Sequence, residues 1–108
     1  MTEQQIAANK QRFIDLCNEH IHREGLDKVL AYLEKSDFYT APSSTRFHLN
    51  EDGGLCLHSM NVFEAACKIY NEMAKPAIVN GTSPFTEEVS MESIAIATLF
   101  HDLCKIKL

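Results

Sequence analysis

Apolar residues recur at helical spacing along nearly the whole chain, and the repeat divides it into a few helical stretches. From Glu3 to about His22, Ile6, Phe13, Leu16, Cys17 and Ile21 share one face, and Gly25 stands where that helix should stop. Val29, Leu30 and Leu33 form the stripe of a second helix over 26–35. A third is expected over 55–74, where Leu55, Val62, Ala65, Ala66, Ile69 and Met73 recur and His58 falls on the same stripe. Ser90 offers an N-cap for a fourth helix, over 90–106, running through MESIAIATLFHDLCK. The connecting stretches are SDFYTAPSSTRFHLNEDGG (36–54) and KPAIVNGTSPFTEE (75–88), the second punctuated by Pro76, Gly81 and Pro84. Only Ala77 to Val79 has β character, and it is too short to pair. The pattern predicts a small all-α domain.

Composition narrows the function classes. A chain of 108 residues builds one domain, 1–108, around a single modest core. A net charge of −5 argues against a protein that holds nucleic acid by bulk attraction to phosphate. No apolar run approaches a membrane span, and the polar start MTEQQIAANKQRF lacks the apolar segment of a secretory signal, so a cytoplasmic location is expected. Cys17, Cys56, Cys67 and Cys104 form no C-x-x-C pair and sit among apolar neighbours, which reads as buried, reduced thiols.

The chemistry concentrates in LFHDLCK, Leu99 to Lys105. An imidazole and a carboxylate just after an apolar run are costly to bury without a compensating partner. Taken singly, His58 and His101 read as hydrogen-bonded core histidines. Taken together with Asp102, two neutral imidazoles and one carboxylate make a mixed nitrogen and oxygen site suited to a divalent transition metal. His20 and His22, two residues apart, face different sides of a helix and read as surface residues. Ser59 has no base and oxyanion arrangement to make it a nucleophile.

GGLCLHSMNVFEAA followed by LFHDLCK resembles the HD superfamily of metal-dependent phosphohydrolases, an all-α fold. The segment APSSTRFHLNEDGGLCLHS further resembles a bacterial and phage subgroup, and the likeness spans roughly residues 38 to 105. It implies His58 as the first metal ligand, His101 and Asp102 as the doublet, and Lys105 as the lysine of the HDxxK form. The implied metal is manganese, iron, cobalt, nickel or zinc. The implied reaction is hydrolysis of a phosphate ester, a nucleotide or oligonucleotide, by a metal-activated water, with Asp102 and Lys105 as catalytic residues.

Arg46 offers a guanidinium fork for a substrate phosphate, and His48 an outer ligand or proton carrier; an exposed pair without a role is the equal alternative. Glu51 and Asp52 read better as solvated acids at a helix N-terminus than as partners of a ligand histidine. Gly53 and Gly54 read as a tight turn that starts the third helix close to the site. The resemblance also implies a last aspartate on a later helix. Glu87, Glu88 and Glu92 do not match it, so the chain reads as the N-terminal part of an HD-like domain, with Leu99, Phe100, Leu103 and Ile106 exposed and a homo-oligomer expected. The alternative is a non-catalytic module that binds a nucleotide or a partner around an incomplete metal site.

Overall fold

In the computed structural model, which describes residues 1–43, 51–84 and 87–108, the described residues form helices and turns and no strand. The all-α expectation holds, and no described helix is long and apolar enough to cross a membrane. Helix α1, Glu3–His20, opens on a reciprocal cap: the Thr2 hydroxyl accepts the Gln5 N–H at 3.1 Å while the Gln5 side chain accepts the Thr2 N–H at 2.9 Å. Helix α2 spans Leu26–Lys35. Its preceding residue, Gly25, has φ of +99°, so the glycine that should stop α1 instead reverses the chain into α2. Ser36 then ends α2, donating its hydroxyl to the Leu33 carbonyl at 2.8 Å and accepting the Phe38 N–H at 3.1 Å.

That turn delivers Phe38 and Tyr39 into the core. Phe13, from α1, meets Phe38 at 4.8 Å and Tyr39 at 5.9 Å between ring centroids, with Phe100 at 6.3 Å on the far side. Phe13 and Phe38 are wholly buried, each stabilising by about 2–3 kcal/mol through area removed from water. Around them close Cys17, Leu33, Leu55, Cys56, Met60, Ala95 and Leu99. Burial pushes the Cys17 thiol up to about 12, and burial followed by the nearby Cys17 does the same to Cys56. The Tyr39 hydroxyl is buried without a hydrogen-bond partner among the described residues, and its pKa is raised by that burial and by Cys56 and Cys17 beside it.

Helix α3, Gly54–Ile69, packs along α5, Met91–Leu99, and both rest on α1. The side of α3 that enters the core carries Leu55, Cys56, Ser59, Met60 and Phe63. This corrects the sequence-derived stripe. Ala65, Ile69 and Met73 are exposed, and the true stripe lies roughly one residue step, about 100°, further round the helix. His58 therefore stands at the margin of the core and not within it. The expected end at residue 74 is also displaced, because a π-turn, Tyr70–Ala74, leads directly into helix α4, Lys75–Val79. The Pro76 ring would clash with the carbonyl four residues back in a regular helix, and the widened turn before it lets the helix continue. The first five residues of the stretch read as loop, 75–79, are helical for that reason, whereas 80–84 turn away from the helix.

Helix α5 starts as expected, with the Ser90 hydroxyl accepting the Ser93 N–H at 3.1 Å, but it ends at Leu99 and not near residue 106. A run of tight turns follows, including the 3₁₀ turn Leu103–Lys105. The late apolar residues are not the exposed surface expected of them. Leu99 is fully buried, and Phe100, Leu103 and Ile106 pack partly buried against the core, so the four do not form the exposed apolar surface expected of them. Cys104 departs from the buried-thiol reading and is exposed, while Cys67 is half-buried; all four thiols are free.

The chain between α2 and α3 locks these parts together. The Thr40 carbonyl accepts the Gly53 N–H at 2.8 Å and the Ala41 carbonyl the Leu55 N–H at 3.0 Å, which fixes the start of α3. Gly53 has φ of +86°, and a Cβ there would lie 2.8 Å from Ile6, so the tight turn requires glycine. Asp37 donates its N–H to the Lys107 carbonyl at 2.9 Å and accepts the Lys107 N–H on its side chain at 2.7 Å, which fixes the segment after α5.

Gly53→Ala should lower stability by about 1–3 kcal/mol, since it adds left-handed strain to a contact that must shift; urea unfolding measures this. Glu92 accepts the His22 N–H at 2.7 Å and the Arg23 guanidinium at 3.0 Å, bonds that hold its carboxyl below the usual glutamate range. A lowered folded pKa gives stability that is present above the unfolded value and lost as pH falls through the folded one. The deficit of Glu92→Gln relative to the unsubstituted chain should therefore be visible at neutral pH and close on acidification, in parallel thermal melts.

Candidate metal centre

Three side chains predicted from the sequence meet at one point, though not by the route predicted. The expected fourth helix, 90–106, would contain His101; the residue lies just past the end of α5, in the turn that follows. His58 reaches the same point from the margin of α3. The Asp102 Oδ2 atom is 3.2 Å from His101 Nε2 and 3.4 Å from His58 Nε2. The two imidazole rings lie 5.2 Å apart, tilted by 59°. Among the described residues these three form a group whose ligand atoms all lie within 4.8 Å of one another. Asp102 is the most enclosed of them, with 16% of its side chain exposed against 31% and 30% for the histidines.

The end of α5 explains why His101 is held so firmly. The Thr98 hydroxyl donates to the Ile94 carbonyl at 2.6 Å. The Thr98 carbonyl in turn takes the His101 backbone N–H at 3.4 Å and faces His101 Nδ1 at 2.6 Å. The last carbonyls of a helix have no partner within it, and a histidine in the next turn satisfies one. A carbonyl only accepts, so Nδ1 carries the proton and, in the neutral ring, Nε2 presents a lone pair. That lone pair and the Asp102 carboxylate then face each other across 3.2 Å. Two acceptors at that distance are compatible only with a cation between them or a proton on Nε2.

The donor set fits a divalent metal. Metal–ligand bonds of about 2.0–2.2 Å at tetrahedral angles place neighbouring donor atoms roughly 3.4 Å apart, close to the two separations on Asp102. A ligand histidine that donates its other ring nitrogen to a main-chain carbonyl is also the usual supporting arrangement. Two nitrogens and an oxygen suit manganese, iron, cobalt, nickel or zinc alike.

Lys105 is held against the same oxygen. Its ammonium lies 3.2 Å from Asp102 Oδ2 and donates to the Ser43 carbonyl at 3.0 Å. This i to i+3 pair is made across the 3₁₀ turn. Arg46 and His48 lie outside the described residues. Glu51 and Asp52 are exposed, and Glu51 accepts the N-terminal ammonium of Met1 at 2.6 Å. His22 is exposed, whereas the His20 ring packs 5.2 Å from Phe63. Ser59, wholly buried, donates to the Leu55 carbonyl at 3.1 Å and is structural. The partners missed in the sequence, the Ser43 and Thr98 carbonyls, are main-chain groups that carry no residue-type signal. Comparison with protein-family models, curated proteins and solved structures gives no match.

The hydrogen bond to Thr98 fixes a tautomer, which is directly measurable. In two-bond nitrogen–proton NMR correlations at a pH where the ring is neutral, His101 should show a protonated Nδ1 and a bare Nε2. A spectrum with the proton on Nε2 would remove the bond to Thr98 from the account of this site.

Proposed function

We propose that this chain is a metal-dependent phosphohydrolase domain of the HD type, acting on a phosphate ester such as a nucleotide or an oligonucleotide end. The observation that carries the reading is the convergence of His58 Nε2 and His101 Nε2 on one oxygen of Asp102, with the far nitrogen of His101 committed to a carbonyl. The resemblance of GGLCLHS and LFHDLCK to that family's motifs supports it independently.

His58, His101 and Asp102 would hold the metal. A bound divalent ion supplies Lewis-acid polarisation of a phosphoryl oxygen and acidifies water towards neutrality. The chain's own groups prepare the rest. The Thr98 carbonyl keeps the His101 proton on Nδ1 and so keeps Nε2 basic. Asp102 contributes a full negative charge from a largely enclosed position, which favours a cation over a neutral guest. Lys105, positioned by the Ser43 carbonyl, sets a positive charge beside Asp102, where the oxygens of a phosphate would gain a charge-assisted hydrogen bond. Three protein ligands leave coordination positions for water and substrate, as in catalytic metal sites generally.

After chelator treatment, calorimetric titration with manganese or zinc should give about one equivalent per chain, the closed stoichiometry of a single such site. His58→Ala and His101→Ala should each weaken binding by more than the roughly 10–100-fold typical of losing an outer partner. Both side chains are about a third exposed, so the fold should survive and circular dichroism should not change. With manganese present, p-nitrophenyl phosphate or its diester should turn over, and Lys105→Ala should slow that turnover while sparing metal affinity. Absence of stoichiometric binding sinks the metal reading. Metal and nucleotide binding without turnover leaves the non-catalytic binding module in its place.

A further inference from the structure

The side of α3 turned away from the core is not uniformly polar. Ala65, Ile69, Met73 and Pro76 follow one another at steps of four, four and three residues along α3, the π-turn and the start of α4. Such steps keep them on one side of a helical rod. All four are exposed, Ile69 by 58% and Met73 by 69%. Single apolar residues on a surface are ordinary, but a contiguous apolar stripe marks an interaction surface. Lys68 and Glu72, also exposed, stand along one edge of it. Among the described residues neither makes an ion pair, whereas their neighbours Glu64 and Lys75 are taken by Arg12 and Glu88.

We infer that two copies of this chain pair antiparallel along this stripe, about a twofold axis near Tyr70. The charges select this occupant. In an antiparallel pair each edge of a helix meets the same edge of its copy with the sequence reversed, and Tyr70 lies midway between Lys68 and Glu72. Lys68 then faces Glu72 of the partner subunit, and Glu72 faces the partner's Lys68, so the edge is complementary to itself. Within one chain the lysine precedes the glutamate, the less favourable order for a pair one turn apart, which leaves both charges for the second copy. Ile69 and Met73 fill the seam, and the small Ala65 lets the rods approach. The seam spans about three turns, so the pair buries less than an obligate dimer and exchanges with the monomer. None of these residues belongs to the metal centre, so pairing does not depend on the metal reading. The face also differs from Leu99, Phe100, Leu103 and Ile106, the residues from which an oligomer was expected.

Sedimentation equilibrium of the whole chain should show the average mass rising from one chain to two between about 1 μM and 1 mM, the span of a weak, small interface. Lys68→Glu sets like charges opposite each other at both symmetric contacts and should weaken association about tenfold, and Glu72→Lys should do the same. An equimolar mixture of the two variants restores both contacts and should associate as the unsubstituted chain does. The mixed pair carries the total charge of two unsubstituted chains, so net repulsion is held constant. Ile69→Ser combined with Met73→Ser should abolish association, with circular dichroism unchanged because both side chains are largely exposed. A monomer throughout the range, assembly beyond the dimer, or a mixture no heavier than its components would each overturn the inference. A dimer that survives the double serine substitution would do so too, by placing association on another face.

Discussion

Hydrogen bonds from one short segment, all but one of them between main-chain groups, decide where the candidate site residues of this protein sit. Thr40 and Ala41 accept the first N–H groups around the start of α3, and Asp37 exchanges two bonds with Lys107. The segment thereby holds the helix that carries His58 and the turns that carry Asp102 and Lys105 against one another. Neither contact requires a particular side chain at Thr40 or Ala41, and together with the packing of α3 along α5 they fix α3 relative to the residues after α5 as closely as a three-donor site would require. The Lys105 bond to the Ser43 carbonyl extends the same clamp by one more link.

The clamp is stiff because it is rooted in the aromatic core. Phe38 and Tyr39 belong to the segment itself, and their rings meet at 5.2 Å while both pack on Phe13. Edge and tilted contacts of this kind add about 0.5–1.5 kcal/mol each beyond area burial. They are obtained at the cost of the Tyr39 hydroxyl, which is buried without a hydrogen-bond partner among the described residues. Surface ion pairs such as Arg12 with Glu64 join α1 to α3 but contribute little by comparison.

How much of this was legible in the sequence differs with the kind of physics involved. Local signals were read well: α2 occupies the expected 26–35, Ser90 caps α5, and Gly53 needs its glycine conformation. The signals misread were those in which one residue's effect is compensated by another. Pro76 suggested a loop, but a π-turn absorbs it. The apolar pattern of α3 contained two overlapping stripes, and packing against α5 and α1 selected the one with Met60 and Phe63, leaving His58 at its margin. The end of α5 was hidden because LFHDLCK looks helical, whereas the Thr98 carbonyl is taken by the His101 ring and the next residues coil more tightly. His58, His101 and Asp102 were nonetheless named together, because histidine and aspartate at that spacing announce their chemistry even where the backbone is misjudged.

Phe100 carries a consequence of a different kind. It is the residue on which α5 ends, it packs 6.3 Å from Phe13, and the peptide bond after it leads straight into His101. The donor histidine is thus bonded to a residue anchored in the interior, and its ring is pinned on the opposite side by Thr98. Most of the conformational entropy that a flexible imidazole would surrender on binding a guest has already been surrendered during folding. For a metal held as proposed, affinity would in that sense be preorganised, and loosening the aromatic interior would register there as a weaker grip long before it registered as an unfolded chain.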